Sequence, residues 1–200
     1  MKRIIFFLLI AICSIATFAQ KGSWYIGGQV GFNSGTTKET NVADIKKTSW
    51  SLAPEVGTFL SNELQLGFAL NLYGSTEEQE SDKITINSFA PVLYLRNFYK
   101  ISDQFSVFAG IVGSYSTGTQ KNSNAEGSVD YKLSGYSANL SLGAAFAVSS
   151  KFTAVAQYGL LGYTSQTTKN GDNETTDSNF GININSLGPV FNVGLYYTLN

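Results

Sequence analysis

Histidine is absent from all 200 residues, and a single cysteine, Cys13, is present. Without imidazole, Ser-His hydrolysis, His-assisted acyl transfer and His-ligated metal chemistry are closed to the chain, so no enzyme, no metal site and no cofactor is expected. Cys13 sits in an apolar N-terminal stretch behind Ile12, where lipoprotein processing wants a small residue. The mature chain is therefore expected to have no cysteine, hence no disulfide and no thiolate chemistry. Charge is scarce too: 14% of residues, 13 Lys and Arg against 14 Asp and Glu. That near balance gives no reason to expect a nucleic-acid partner. Proline occurs three times and tryptophan twice, while Gly (20), Phe (14) and Tyr (11) abound, which leans towards an all-β architecture.

The N-terminus must be set apart first. Met1-Lys2-Arg3 is a basic start, Ile4 to Ile15 is nearly unbroken apolar sequence, and Thr17-Phe18-Ala19 places small residues before Gln20. These are the parts of a secretory signal peptide, predicted to span 1–19 and to be cleaved after Ala19. The apolar run is too short for the roughly 20 residues of a transmembrane helix. Losing Lys2 and Arg3 takes the formal charge from −1 to −3.

From 20 to 200 the sequence reads as one domain built from period-two alternation. In the final stretch Leu187, Pro189, Phe191, Val193, Leu195, Tyr197 and Leu199 alternate with small or polar residues. Seven earlier stretches do the same. Trp24, Ile26, Val30 and Phe32 share a face in the first, Trp50, Leu52, Pro54 and Val56 in the second, and Leu64, Leu66, Phe68, Leu70 and Leu72 in the third. Sets such as Phe89-Pro91-Leu93-Leu95, Phe105-Val107-Ala109-Ile111, Leu140-Leu142-Ala144-Phe146 and Phe152-Ala154-Ala156-Tyr158-Leu160 continue the series.

Short connections (61–62, 100–103, 149–150) take turns with long polar ones (35–47, 75–83, 118–130, 165–178). That is the layout of an eight-stranded antiparallel up-and-down transmembrane β-barrel with short periplasmic turns and long external loops. All three prolines fall in Ser-apolar-small-Pro repeats at 51–54, 88–91 and 186–189, each expected to mark a bulge or a missed ladder bond. Apolar parity shifts between Ile86 and Phe89 and between Ile184 and Leu187, which predicts bulges near Asn87-Ser88 and Asn185-Ser186.

A soluble, lipocalin-like periplasmic carrier would show the same alternation with the greasy face turned inwards and a heavily charged exterior. Here the other face is mostly Gly, Ala, Ser, Thr, Asn, Gln and Tyr, which suits a crowded interior. Aromatic residues gather at both ends of the strands, as expected of two interfacial belts; parity places Phe59, Tyr73 and Phe98 inside. Glu55 and Arg96 fall on the inward face, where each needs a partner, and each is a candidate for the other. They read as a structural plug, or alternatively as a gated ion path. Glu77, Glu78, Glu80 and Asp82 lack the fixed spacing of a cation loop and read as a solvated segment.

Asn192, Gly194, Tyr197 and Leu199 match polar-x-Gly-x-x-hydrophobic-x-hydrophobic, which resembles the C-terminal assembly signal of outer-membrane barrels. Together with the leader, the eight alternating stretches and the loop alternation, it makes the chain similar to the small outer-membrane β-barrel family, which includes OmpX and the barrel domain of OmpA. The resemblance covers 21–200. It implies location in the cell outer membrane, contact with outer-membrane lipid and lipopolysaccharide, insertion by the barrel-assembly machinery, and a structural or surface role in envelope integrity or adhesion. Eight strands leave an interior that side chains can fill, so a wide pore is not expected and a monomer is. The other reading open at this point is a narrow channel or a barrel binding a small apolar ligand near the loop end.

Overall fold

The computed structural model describes residues 21–39, 42–182 and 191–199. The expected leader, Pro189 and the bulge expected at Asn185-Ser186 lie outside these residues. Nine antiparallel segments are formed: β1 (Trp24–Glu39), β2 (Val42–Phe59), β3 (Leu64–Gln79), β4 (Asp82–Lys100), β5 (Phe105–Asn124), β6 (Gly127–Ala147), β7 (Phe152–Asn170), β8 (Asn173–Gly181) and β9 (Phe191–Leu199). Each of β1 to β7 pairs with the next. The upper part of β7 pairs with β8 and the lower part with β9, and β9 pairs in turn with β1. The ring therefore has eight positions and closes on itself, the last position shared by β8 above and β9 below.

Register decides the orientation. Val30 is 80% exposed, Phe32 77%, Leu93 59% and Ile111 59%, whereas Tyr25 and Arg96 are 1% exposed and Phe108 2%. The apolar set points out all round the ring. A lipocalin-like barrel would bury that set, so the soluble alternative does not fit this geometry. Outward-facing Trp24, Tyr99, Phe105, Phe146 and Phe152 mark the short-turn end, and Phe32, Trp50, Phe89, Tyr115, Tyr136 and Phe180 the opposite end. Between the two rows on β5 and β6, from Phe105 to Tyr115 and from Phe146 to Tyr136, ten steps of strand intervene, the length a tilted strand needs to cross the hydrocarbon.

The segments expected as long loops are instead continuations of the strands. The β3–β4 ladder runs unbroken to Gln79↔Asp82, β5–β6 to Asn124↔Gly127 and β7–β8 to Asn170↔Asn173, leaving two-residue tips. Thr and Val favour extended backbone whether or not they are in lipid, and cross-strand polar pairs hold the extensions together. Thr167 and Thr176 hydroxyls are 2.9 Å apart, Lys47 pairs with Glu77 at 3.0 Å and Lys83 with Glu78 at 2.7 Å. At the tips Glu80 and Gly171 take left-handed φ of 53° and 57°, as tight hairpins require. Polarity in these stretches marks the exit from the bilayer, not the end of the ladder.

The bulge expected near Asn87-Ser88 is not formed. Gly74↔Asn87 and Tyr73↔Ser88 on one side, and Asn87↔Thr119 and Ser88↔Gly118 on the other, keep an unshifted register. Apolar parity changes there because β4 leaves the membrane: Ile86 shares the inner face with Val92 and Tyr94. At Pro54 the β2–β3 ladder steps from Leu52↔Leu72 to Glu55↔Ala69, and at Pro91 the β4–β5 ladder steps from Phe89↔Thr117 to Val92↔Ser114. Two positions are skipped without a shift, the missed bond of a residue with no N–H. A bulge does occur on β7, where Leu140↔Leu161 is followed by Ser141↔Gly159 and Leu160 is the extra residue. The outward set passes there from even to odd numbers, and a buried Gly162 follows.

Three short turns share one construction. Ser61 accepts from the Glu63 and Leu64 amides at 3.3 and 3.0 Å, Ser102 from Gln104 and Phe105 at 3.4 and 3.1 Å, and Ser149 from Lys151 and Phe152 at 3.3 and 3.1 Å. In each, the carbonyl of the first strand residue after the turn accepts two more amides, as Leu64 does from Leu60 and Ser61. The sequence signature is apolar-Ser-polar-polar-apolar at 60–64, 101–105 and 148–152.

Candidate functional site

Alternation sends Gln29, Glu55, Gln65, Tyr94, Arg96, Gln157 and Tyr196 into the lumen from β1, β2, β3, β4, β7 and β9. There they form one hydrogen-bonded network. Glu55 and Arg96 lie with Oε2 and Nη2 3.8 Å apart, their side chains 3% and 1% exposed. Glu55 Oε2 accepts from the hydroxyls of Tyr94 (2.7 Å) and Tyr196 (2.6 Å), and Oε1 accepts from Gln29 at 2.8 Å. Arg96 Nη1 donates to Gln65 (3.3 Å) and to the Tyr196 hydroxyl (3.1 Å), while Nη2 donates to Gln157 at 2.8 Å. A further 2.6 Å bond joins the hydroxyls of Tyr25 and Tyr94. Buried charge is tolerable only when both members are paired and their remaining sites are hydrogen-bonded, and nearly all are. The Arg96 guanidinium also lies 3.9 Å from the centroid of the Tyr94 ring, adding a cation–π contact.

Below the network, towards the short turns, aromatic rings close the barrel. Tyr196, Tyr25, Phe59, Phe98 and Phe108 form a chain of neighbours with centroid separations of 5.2, 6.0, 5.9 and 5.0 Å. Glycines make room for them: Gly27 beside Tyr196, Gly57 beside Tyr25, Gly67 beside Tyr25 and Tyr94, and Gly143 beside Phe108. A Cβ at Gly67 would run into the Tyr25 hydroxyl and the Tyr94 ring, and one at Gly143 into the Phe108 ring and the Ala156 carbonyl. Above the network the lumen opens into a vestibule of about 420 Å³, lined by Ser51, Asn71, Tyr73, Ser114, Ser137 and Asn139 among others. These hydroxyl and amide groups are interleaved with apolar ones from Ala53, Ala69, Leu72, Val92 and Val112. Arg96 Nε and Asn139 Oδ1 are buried without a hydrogen-bond partner among the described residues.

Of the residues singled out in the sequence, the structure brings Glu55 and Arg96 together and spreads the terminal four along β9, Tyr197 and Leu199 at the short-turn end and Asn192 and Gly194 level with the network. Gly194 is buried opposite Gln29, Tyr197 stacks 5.1 Å from Phe152 and receives a 3.3 Å hydrogen bond from Lys151, Leu199 lies opposite Trp24, and Asn192 pairs with Gln157 in the ladder. Glu77 and Glu78 are taken up in ion pairs with Lys47 and Lys83. Among the described residues there is no group of three His, Cys, Asp or Glu able to hold a metal ion. Sequence reasoning missed the tyrosines and glutamines of the network. Tyr94 and Arg96 share a face at spacing two, which was visible, but that Gln65 sits opposite Arg96 depends on a register no single strand reveals.

Solved structures with this architecture are found. OprG from Pseudomonas aeruginosa is 14% identical, with a TM-score of 0.53 and coverage of 90% of this chain and 97% of that one. Ail, the attachment invasion locus protein of Yersinia pestis, is 13% identical, with a TM-score of 0.52 and coverage of 90% and 100%. The translocator domain of autotransporter NalP from Neisseria meningitidis, 14% identical with a TM-score of 0.49, is spanned over 66% of its length. Among curated protein sequences nothing matches. The outer membrane protein beta-barrel domain model matches residues 5–186. A closed β-barrel is the architecture that family's description names, and the chain belongs to the outer membrane protein beta-barrel domain family.

Proposed function

We propose that this protein is a non-conducting barrel of the outer membrane that stabilises the envelope and presents long β-hairpins at the cell surface, without catalytic activity. The observation that carries the reading is the closed lumen. The Glu55–Arg96 network and the aromatic layer beneath it fill the cross-section on the side of the short turns, so the vestibule communicates with the outside only. Strands of up to 21 residues extend well past the ten or so needed for the bilayer, giving the hairpins a rigid surface for contact with other envelope components or cells.

Cleavage of the leader after Ala19, a monomeric state, and recognition of Asn192, Gly194, Tyr197 and Leu199 by the barrel-assembly machinery belong to the same proposal. The plugged lumen is tested by reconstituting the protein in planar bilayers and in liposomes loaded with small sugars. Background conductance and no swelling are expected; a sustained open pore would replace this reading with the second one. That second reading, a barrel that takes up a small ligand, is favoured by the vestibule, whose mixed lining of hydroxyl, amide and aliphatic groups would suit a small molecule with both apolar and polar parts.

A further inference from the structure

Above the outward aromatic row, β5, β6 and β7 carry a basic patch that the lumen does not use. Thr119, Lys132 and Lys169 are successive ladder partners across the three strands, and Lys121 stands one step higher, opposite Asp130. Their parity is that of Tyr115, Tyr136 and Tyr163, so they face outwards, and all three lysines are exposed. They line a groove of about 720 Å³ together with Asn87, Thr119 and Asp130. Three lysines against one aspartate leave the groove with an excess of two positive charges. The ion pairs formed among the described residues all involve other lysines, or Arg96. Glu174, the ladder partner of Lys169, does not line the groove but stands beside it on the same face and offsets part of that excess, leaving the patch net positive.

Height identifies the occupant. Lys132 lies four residues beyond Tyr136 on the same strand, about 13 Å along it and about 10 Å along the membrane normal for a strand tilted near 40°. Tyrosine rings settle at the boundary of the hydrocarbon, and the layer just above them is the phosphate-bearing headgroup zone. Long lysine stems reach along this boundary with the ammonium kept in the polar layer. A phosphate group carries close to two negative charges at neutral pH, opposite in sign to the net charge of the groove, and Thr119 and Asn87 add neutral donors.

We propose that Lys121, Lys132 and Lys169 form a binding site for the phosphate of an outer-leaflet lipid headgroup, a phosphorylated saccharolipid held against the outside of the barrel. The site rests on the outer-membrane placement of the chain and not on the plugged lumen, so failure of the conductance test and failure of this one are distinguishable.

The test uses the folded barrel in neutral detergent, with its thermal unfolding midpoint read by heat-modifiable gel mobility. Added diphosphoryl lipid A should raise the midpoint by about 3 °C or more at saturating lipid, and lipid A stripped of phosphate should not. K121Q/K132Q/K169Q should lose the shift while keeping the wild-type midpoint in detergent alone, and K121R/K132R/K169R should retain it. Should the triple glutamine variant fail to fold, single Lys132→Gln is measured instead, with at least a halved shift expected. An undiminished shift in the glutamine variant, an equal shift with dephosphorylated lipid, or full protection by inorganic phosphate alone would each overturn the proposal, the last because it indicates a free-anion site.

Discussion

Tyr196 donates its hydroxyl to Glu55 Oε2 at 2.6 Å across 141 residues of sequence. Because β9 and β2 are not ladder neighbours, this bond spans the inside of the ring next to the closure between β1 and β9. Arg96 reaches the same hydroxyl from β4. The network thus fastens the last segment of the chain to the barrel interior as well as to its ladder partners.

Removing both charges of this network should cost less than the two single losses added together. Arg96→Met leaves Glu55 buried without its counter-charge and is expected to cost about 3 to 5 kcal/mol. Glu55→Gln/Arg96→Met should be less destabilised than the sum of the single variants, with a coupling of about 0.5 to 3 kcal/mol. Urea unfolding in lipid vesicles measures this, and strict additivity would show that the two residues do not act together.

The aromatic layer depends on positions without side chains, Gly67 and Gly143 among them. Gly67→Ala should push Tyr25 and Tyr94 apart and Gly143→Ala should displace Phe108, each costing about 1 to 3 kcal/mol through overpacking. Gly35→Ala, where a Cβ would meet nothing within 4 Å, is the control and should change the unfolding midpoint little.

Ser61, Ser102 and Ser149 each accept two amides in the short turns. Replacing any one by Ala should cost about 0.5 to 2 kcal/mol, as for loss of a helix N-cap that satisfies the same kind of orphan amide. Amide exchange at Leu64, Phe105 and Phe152 reports the loss locally, and each variant should accelerate exchange at its own turn only.

Lys83 holds the Glu78 carboxyl below its ordinary range, through a hydrogen bond and its charge. With the folded value below the unfolded one, the pair favours the folded hairpin above the unfolded carboxylate pKa. That contribution disappears as pH falls through the folded value. Lys83→Gln should move the Glu78 titration midpoint, followed by carboxyl carbon NMR, upwards; an unmoved midpoint would count against the ion pair in solution.

Much of the wall was legible because a strand in lipid obeys one rule, alternate positions apolar, and Leu64 to Leu72 follow it without exception. Beyond the bilayer that rule lapses. Thr167 and Thr176 are as much ladder residues as Leu140, yet polarity made their segments read as loops. The parity change at Ile86 has the pattern of a bulge, yet it marks water on both faces of an unshifted ladder. The bulge at Leu160 left its own sign, two adjacent leucines with Tyr158 and Tyr163 on opposite parities. Glu55 and Arg96 stood out because charges are rare on the inward face. Their tyrosine and glutamine partners did not, because inward Tyr and Gln are ordinary filling until register brings Gln65 opposite Arg96.

The outward orientation of the apolar set is tested most directly by spin labels on single cysteines along β4, in a chain whose Cys13 falls in the expected leader. Labels at Phe89, Leu93 and Leu95 in lipid vesicles should collide freely with oxygen and little with a water-soluble nickel chelate, and labels at Ala90 and Val92 should be shielded from lipid. Period-two alternation of oxygen accessibility is the predicted result. Accessibility in the opposite phase, or without periodicity, would contradict a barrel that turns its apolar face to the membrane.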